Sequence, residues 1–227
     1  MSLSKQILIV FDLDGTLVQL DFTQDGMVKA RKQLQQIFSV SGIQSEFKPL
    51  HREVYKVLKS PEIGPDNTYS DELRSSVFDV LRGLEQDAVT RLTHYPDAIE
   101  CYVQCVADPT ISTAIATNNT RLTAKSAIDN VGVPHPDTLV SIEDVQLPKP
   151  DPHMLNLVLN RHANVMRLIM IGDRYSDIQS AQKASSNHDV ELVSILIDRF
   201  DSRRENQQDV EFIFPSFADI DIYEFVD

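Results

Sequence analysis

The sequence predicts an α/β fold: a parallel sheet core with helices on both faces, interrupted early by an inserted helical region. Three observations predict it. Ile7 to Phe11 is a short, continuous, β-branched-rich apolar run followed by Asp-Gly, as in a strand buried on both faces. From His94 onward, strand-like and helical patterns alternate. Between these parts lies a long stretch with helical spacing and no strand of its own.

Taken in order, "TQDGMVKARKQLQQIFSV" places Met27, Ala30, Leu34, Ile37 and Phe38 near helical spacing. "SEFKPLHREVYKVLKS" and "SDELRSSVFDVLRGLEQD" read as two further helices, the latter starting at Ser70 with Asp71 and Glu72 in its first turn. "SPEIGPDNTYS" between them reads as a loop. "YPDAIECYVQCVAD" is a helix entered at Pro96. "TISTAIATNN" is a strand, "TRLTAKSAIDNVG" a helix closed by Gly132, and "TLVSI" a short strand followed by the loop "EDVQLPKPDP". "HMLNLVLNRHA" is helical, "MRLIMIGD" a strand, and "YSDIQSAQKASSN" a helix. "VELVSILID" and "VEFIF" are the last strands, and "SFADIDIYEFV" a closing helix. The expected division is residues 1–18 and 89–227 as the α/β core, with 19–88 as the insert.

Composition narrows the function. The chain has 227 residues and a formal net charge of -13, which argues against a nucleic-acid or anionic-membrane surface. It leaves room for a small phosphorylated substrate held by a local cation. No run approaches the roughly 18 apolar residues of a membrane span, and no apolar segment resembling a signal peptide precedes the first strand. The two cysteines, Cys101 and Cys105, have the spacing of one helix face and read as reduced packing residues. A cytoplasmic location is expected. The six histidines, His153 after "KPDP" included, show no zinc spacing. The sequence does not specify an oligomeric state.

Ligands of parallel sheets bind beyond the carboxyl ends of the strands. The residues delivered there are Asp12 and Asp14 after the first strand, Thr117 and Asn118 after the second, Lys149 in the loop after the third, and Asp173 after the fourth, with Asp177 one helical turn later. Several carboxylates at one point need a cation, and oxygen-only ligands favour Mg²⁺. A metal, a lysine and a hydroxyl facing one point suit a phosphoryl group. Arg174, beside Asp173, could reach a substrate anion but reads first as a surface residue.

"FDLDGTLV", "AIATNN", "PKPDP" and "IGDRYSDI", in that order, resemble the four motifs of the haloacid dehalogenase superfamily, in its phosphatase branch. The resemblance implies a Rossmann-like core, with the insert as a helical cap. It implies a hydrolase of small phosphate esters that works through an aspartyl-phosphate and Mg²⁺. Asp12 would be the nucleophile, and Asp14 the acid that protonates the leaving oxygen and later deprotonates water. Thr117 and Asn118 would hold the phosphoryl group, and Lys149 would bind phosphate and steady Asp12. Asp12, the Asp14 carbonyl and Asp173 would ligate the metal, with Asp177 behind them. A sugar-phosphate mutase and a non-catalytic phosphate-binding protein are the alternatives. A dehalogenase is disfavoured because Asp14 is present. Many relatives that hydrolyse phosphoglycolate carry an Asp where this chain has Gln19.

Overall fold

The computed structural model describes residues 6–40, 42–58, 71–162, 164–200 and 210–226. The chain divides into two compact units, Met1–Gln19 with Leu92–Asp227, and Leu20–Arg91.

The first unit opens with β1 (Ile7–Phe11) and a two-residue strand, β2 (Val18–Gln19). After the helical unit the chain returns as β3 (Thr93–His94), which pairs antiparallel with β2. This small ribbon has no signature in the sequence, because two residues are too few to show a period. The other strands are β4 (Ile111–Ala116), β5 (Thr138–Val140), β6 (Arg167–Gly172), β7 (Glu191–Ile197) and β8 (Phe212–Phe214). They join β1 in a six-stranded sheet of order β5-β4-β1-β6-β7-β8, and every pairing is parallel.

The helices of this unit are α4 (Pro96–Ala107), α5 (Arg121–Val131), α6 (His153–Arg161) and α7 (Tyr175–His188), numbered after three in the helical unit. Pro96 occupies the first turn of α4, where its missing N–H costs nothing. Gly132 ends α5 at φ 77°, a left-handed conformation that favours glycine. On one face of the sheet, Ile9, Phe11, Ile169, Ile171 and Ile195 form a buried cluster with Ala98 and Tyr102 of α4 and Ala127 of α5. The alternate residues Leu8, Val10, Leu168 and Met170 are equally buried and face the other side, where α6 and α7 pack on the sheet. Cys101 and Cys105 are buried, free thiols on α4. The expected closing helix is instead two short 3₁₀ turns, Phe217–Asp219 and Ile222–Phe225. Ser216 and Asp221 cap them by accepting from the Ala218 and Tyr223 N–H groups, and such local bonds compete with a continuous helix.

The second unit contains α1 (Gln24–Ser39), α2 (Leu50–Leu58) and α3 (Asp71–Val89). Thr23 caps α1 by accepting from the Gly26 N–H at 3.1 Å. Ala30, Leu34 and Phe38 of α1 are buried, as are Val77, Leu81 and Leu84 of α3, and the two helices pack together. Helix α2 starts only at Leu50, later than "SEFKPLHREVYKVLKS" suggests, because Pro49 fits a helix only at its edge. The expected Ser70 start and the "SPEIGPDNTYS" loop lie outside the described residues. Among the described residues, no helix is long and apolar enough to cross a membrane.

Candidate active site

The sheet register builds the site. Phe11 of β1 lies level with Ile115 of β4 and with Ile171 of β6. All three strands run parallel, so Asp12, Thr117 and Asp173 leave the sheet at one edge. The Asp12 N–H completes the ladder by donating to the Ile171 carbonyl at 2.9 Å.

After Asp12 the chain turns sharply. Leu13 is buried and its carbonyl accepts from the Leu17 and Val18 N–H groups, while Gly15 N–H donates to the Val18 carbonyl at 2.7 Å. Gly15 has φ +95°, and a Cβ there would lie 2.3 Å from Asp173 Oδ2. Only glycine meets both demands. Gly172 meets a similar one, since a Cβ there would lie 2.6 Å from Asp177 Oδ2. Asp14 is half-buried on this turn.

Lys149 arrives from the loop after β5, which begins with a 3₁₀ turn at Ile142–Asp144. Asp144 accepts from the backbone N–H and hydroxyl of Ser141 and pairs with Arg121, tying this turn to α5. Further along, the Asn118 side chain accepts from the Lys149 N–H at 3.2 Å and donates to the Lys149 carbonyl at 3.3 Å. Asn118 therefore braces Lys149 through its side chain. The Lys149 ammonium donates to Asp12 Oδ1 at 2.6 Å and to the Ala116 carbonyl at 2.7 Å, and pairs with Asp177 Oδ1 at 2.6 Å. Its three N–H groups meet three acceptors. Burial alone would lower its pKa, but Asp12 and Asp177 outweigh that and push it up to about 12.

Asp177 is buried with both oxygens engaged, Oδ1 by Lys149 and Oδ2 by the Arg174 N–H at 3.0 Å. Asp173 is the opposite case. Its Oδ1 is buried without a hydrogen-bond partner. Burial, then the charges of Asp12 and Asp177, push its carboxyl up to about 8. One oxygen from each of Asp12, Asp173 and Asp177 lies within 4.8 Å of the others, a group able to hold a cation. The unpartnered Asp173 oxygen and the raised proton affinity fit a hard divalent ion, which would satisfy both. Asp177 is too fully bonded to be a first choice among the ligands. No histidine, His153 included, joins a metal-binding group among the described residues.

Thr117 is buried, and its hydroxyl donates to Asn119 Oδ1 at 2.8 Å while accepting from the Asn119 N–H at 3.1 Å. A phosphoryl oxygen would have to take over that one O–H. Asn119 has no sequence signal beyond the doubled "NN". Tyr95 likewise carries no motif that marks it. It follows β3, donates to Gln19 Oε1 at 3.1 Å, and carries the Arg199 guanidinium 3.8 Å over its ring. Burial, and then the charges of Asp173, Asp14 and Asp97 against that of Arg199, hold its hydroxyl proton on.

Comparison with known proteins agrees with this architecture. A family model for haloacid dehalogenase-like hydrolases matches residues 8–185. Among solved structures, CbbY from Rhodobacter sphaeroides in complex with phosphate is 18% identical with a TM-score of 0.62, over 97% of this chain and 99% of that one. YfnB from Bacillus subtilis, bound to magnesium, is 17% identical with a TM-score of 0.54, over 95% and 96% of the two chains. At such identities the likeness is one of fold. The pyrophosphatase PpaX from Bacillus velezensis is 39% identical over 51 residues, which span 22% of this chain and 24% of that protein.

Proposed function

The chain belongs to the haloacid dehalogenase-like hydrolase family, and from that premise we propose that it is a Mg²⁺-dependent phosphomonoester hydrolase working through an aspartyl-phosphate. One observation carries the reading. A buried lysine grips one oxygen of Asp12, and beside it Asp173 keeps a buried oxygen without a partner.

Asp12 is the nucleophile. Lys149 fixes its Oδ1, so the other oxygen attacks phosphorus and the ester P–O bond breaks. Asp14 gives its proton to the departing oxygen. Asp14 then takes a proton from water as the water oxygen bonds to phosphorus and the Asp12–phosphorus bond breaks. Inorganic phosphate leaves, and both carboxyl groups return to their starting states. Splitting the reaction lets one positioned carboxylate pair serve two displacements. The Thr117 hydroxyl and the Asn118 backbone hold phosphoryl oxygens. Asp12, Asp173 and the Asp14 carbonyl are the residues that would hold Mg²⁺, with Asp177 fixing Lys149 behind them. When bound, the ion supplies charge stabilisation for the phosphoryl oxygens. The helical unit Leu20–Arg91 serves as the cap that selects the leaving group.

Phosphate release from a panel of phosphomonoesters tests this, with Mg²⁺ and with chelator, beside Asp12→Asn. Release that needs both Mg²⁺ and Asp12 is the expected result, with a loss on the order of 10⁴-fold or more in the variant. Normal turnover by folded Asp12→Asn protein would sink the mechanism.

A further inference from the structure

Arg174 follows Asp173 directly and occupies the N-cap position of α7. Its Nε lies 3.7 Å from Asp173 Oδ2, beyond hydrogen-bond distance, and its side chain is 70% exposed. Burial weakens its hold on the proton, but Asp173, Asp12, Asp14 and Asp177 more than restore it, so the guanidinium stands in the field of the whole carboxylate cluster.

Two other cations near this edge, Lys149 and Arg121, are committed. Lys149 meets three acceptors with three N–H groups. Arg121 pairs with Asp144 and donates to the Leu139 carbonyl. The Arg199 side chain is only 13% exposed, pairs through one nitrogen with Asp97 at 3.3 Å and is held over the Tyr95 ring, while its Nε and Nη2 have no hydrogen-bond partner, so it differs from Arg174 in its burial rather than in being spent. The Arg174 guanidinium makes no hydrogen bond to any described residue. It is an unspent fork at the rim of the site, with the geometry that pairs with carboxylate or phosphoryl oxygens two at a time.

We infer that Arg174 recognises a second anionic group on the leaving side of the substrate, which makes the substrate class small phosphate compounds that carry a carboxylate or a second phosphoryl group. The inference rests on the phosphatase reading above. Lys149 steadies Asp12 from inside the protein, and Arg174 serves the leaving group from the solvent side.

The test is steady-state kinetics of the full chain with Mg²⁺ on phosphoglycolate, pyrophosphate and phenyl phosphate, whose leaving group is uncharged. Wild type, Arg174→Gln and Arg174→Lys are compared. The wild type should prefer one of the two doubly anionic compounds, and which one identifies the second group. In Arg174→Gln the kcat/KM ratio of that compound to phenyl phosphate should fall roughly tenfold or more, mainly through KM, with partial recovery in Arg174→Lys. An unchanged ratio, or a wild type that favours phenyl phosphate, overturns the inference while leaving the phosphatase reading intact. Release from none of the three by folded wild type overturns that reading, and the inference with it.

Discussion

In the α/β unit, Asp12, Lys149 and Asp177 are all buried, with both carboxylates 2.6 Å from one ammonium and Asp173 beside them lacking a partner for one oxygen. In the helical unit, one fully buried carboxylate, Glu85, meets His51 at 3.2 Å, and the rest of its described interior is mainly apolar. Both units pack well-formed helices, so charge at the centre is not needed for a core of this kind. Burying like charges together is expensive. Where a fold tolerates it, and leaves one oxygen unsatisfied, the arrangement points to chemistry. The helical unit spends its ions at the edge, where Arg91 bonds Asp87 at 2.7 Å and the Asp21 carbonyl at 3.0 Å.

Removing the central cation is the strongest stability test of this contrast. Lys149→Met strands two buried carboxylates and should cost about 3–5 kcal/mol. Glu85→Gln in the helical unit should cost only about 1–3 kcal/mol. Urea unfolding of both variants measures the difference, and equal costs would erase the distinction.

Metal and pH sharpen it next. Folded Asp173 holds its proton up to about 8, whereas an unfolded aspartate releases it near about 3.9. The folded state then binds a proton that the unfolded state lacks. Metal-free protein should therefore lose stability as pH rises between those values. Mg²⁺ competes with that proton, so it should raise the melting temperature more at pH 8.5 than at pH 6. At a hundredfold excess over its Kd the gain is about 2.7 kcal/mol. A melting temperature indifferent to Mg²⁺ at both pH values would remove the cation from the site.

Two glycines mark the smaller effects. Gly15→Ala sets a Cβ 2.3 Å from Asp173 at φ +95° and should cost about 1–3 kcal/mol, with a fall in kcat. Gly83→Ala lies mid-helix in α3 with nothing within 4 Å of the new Cβ and should stabilise by about 1 kcal/mol. Thermal melts of the pair should shift in opposite directions.

Most of this molecule was legible beforehand for a local reason. Strands buried on both faces are continuous apolar runs, and Ile111–Ala116 is buried at all six positions. The caps of α4 and α5 follow from Pro96 and Gly132 alone. Two kinds of element escaped, one with a cause far off in the chain and one with a local cause that competes with a helix. The ribbon of β2 and β3 joins residues far apart in sequence, and the 3₁₀ turns near the C-terminus depend on two side-chain caps.

The sequence by itself determined the succession of the six sheet strands along the chain, the arrival of Asp12, Thr117 and Asp173 at strand ends, and that of Lys149 in the loop after the third, because periodicity and turn chemistry are local. Only the tertiary structure decided which of these groups are spent. Lys149 meets three acceptors, Asn118 braces Lys149, Thr117 is occupied by Asn119, and Asp173 keeps an open oxygen. The central bond joins residues more than a hundred positions apart, Asp12 and Lys149, and even the two-residue bond of Thr117 to Asn119 depends on side-chain geometry that periodicity does not encode.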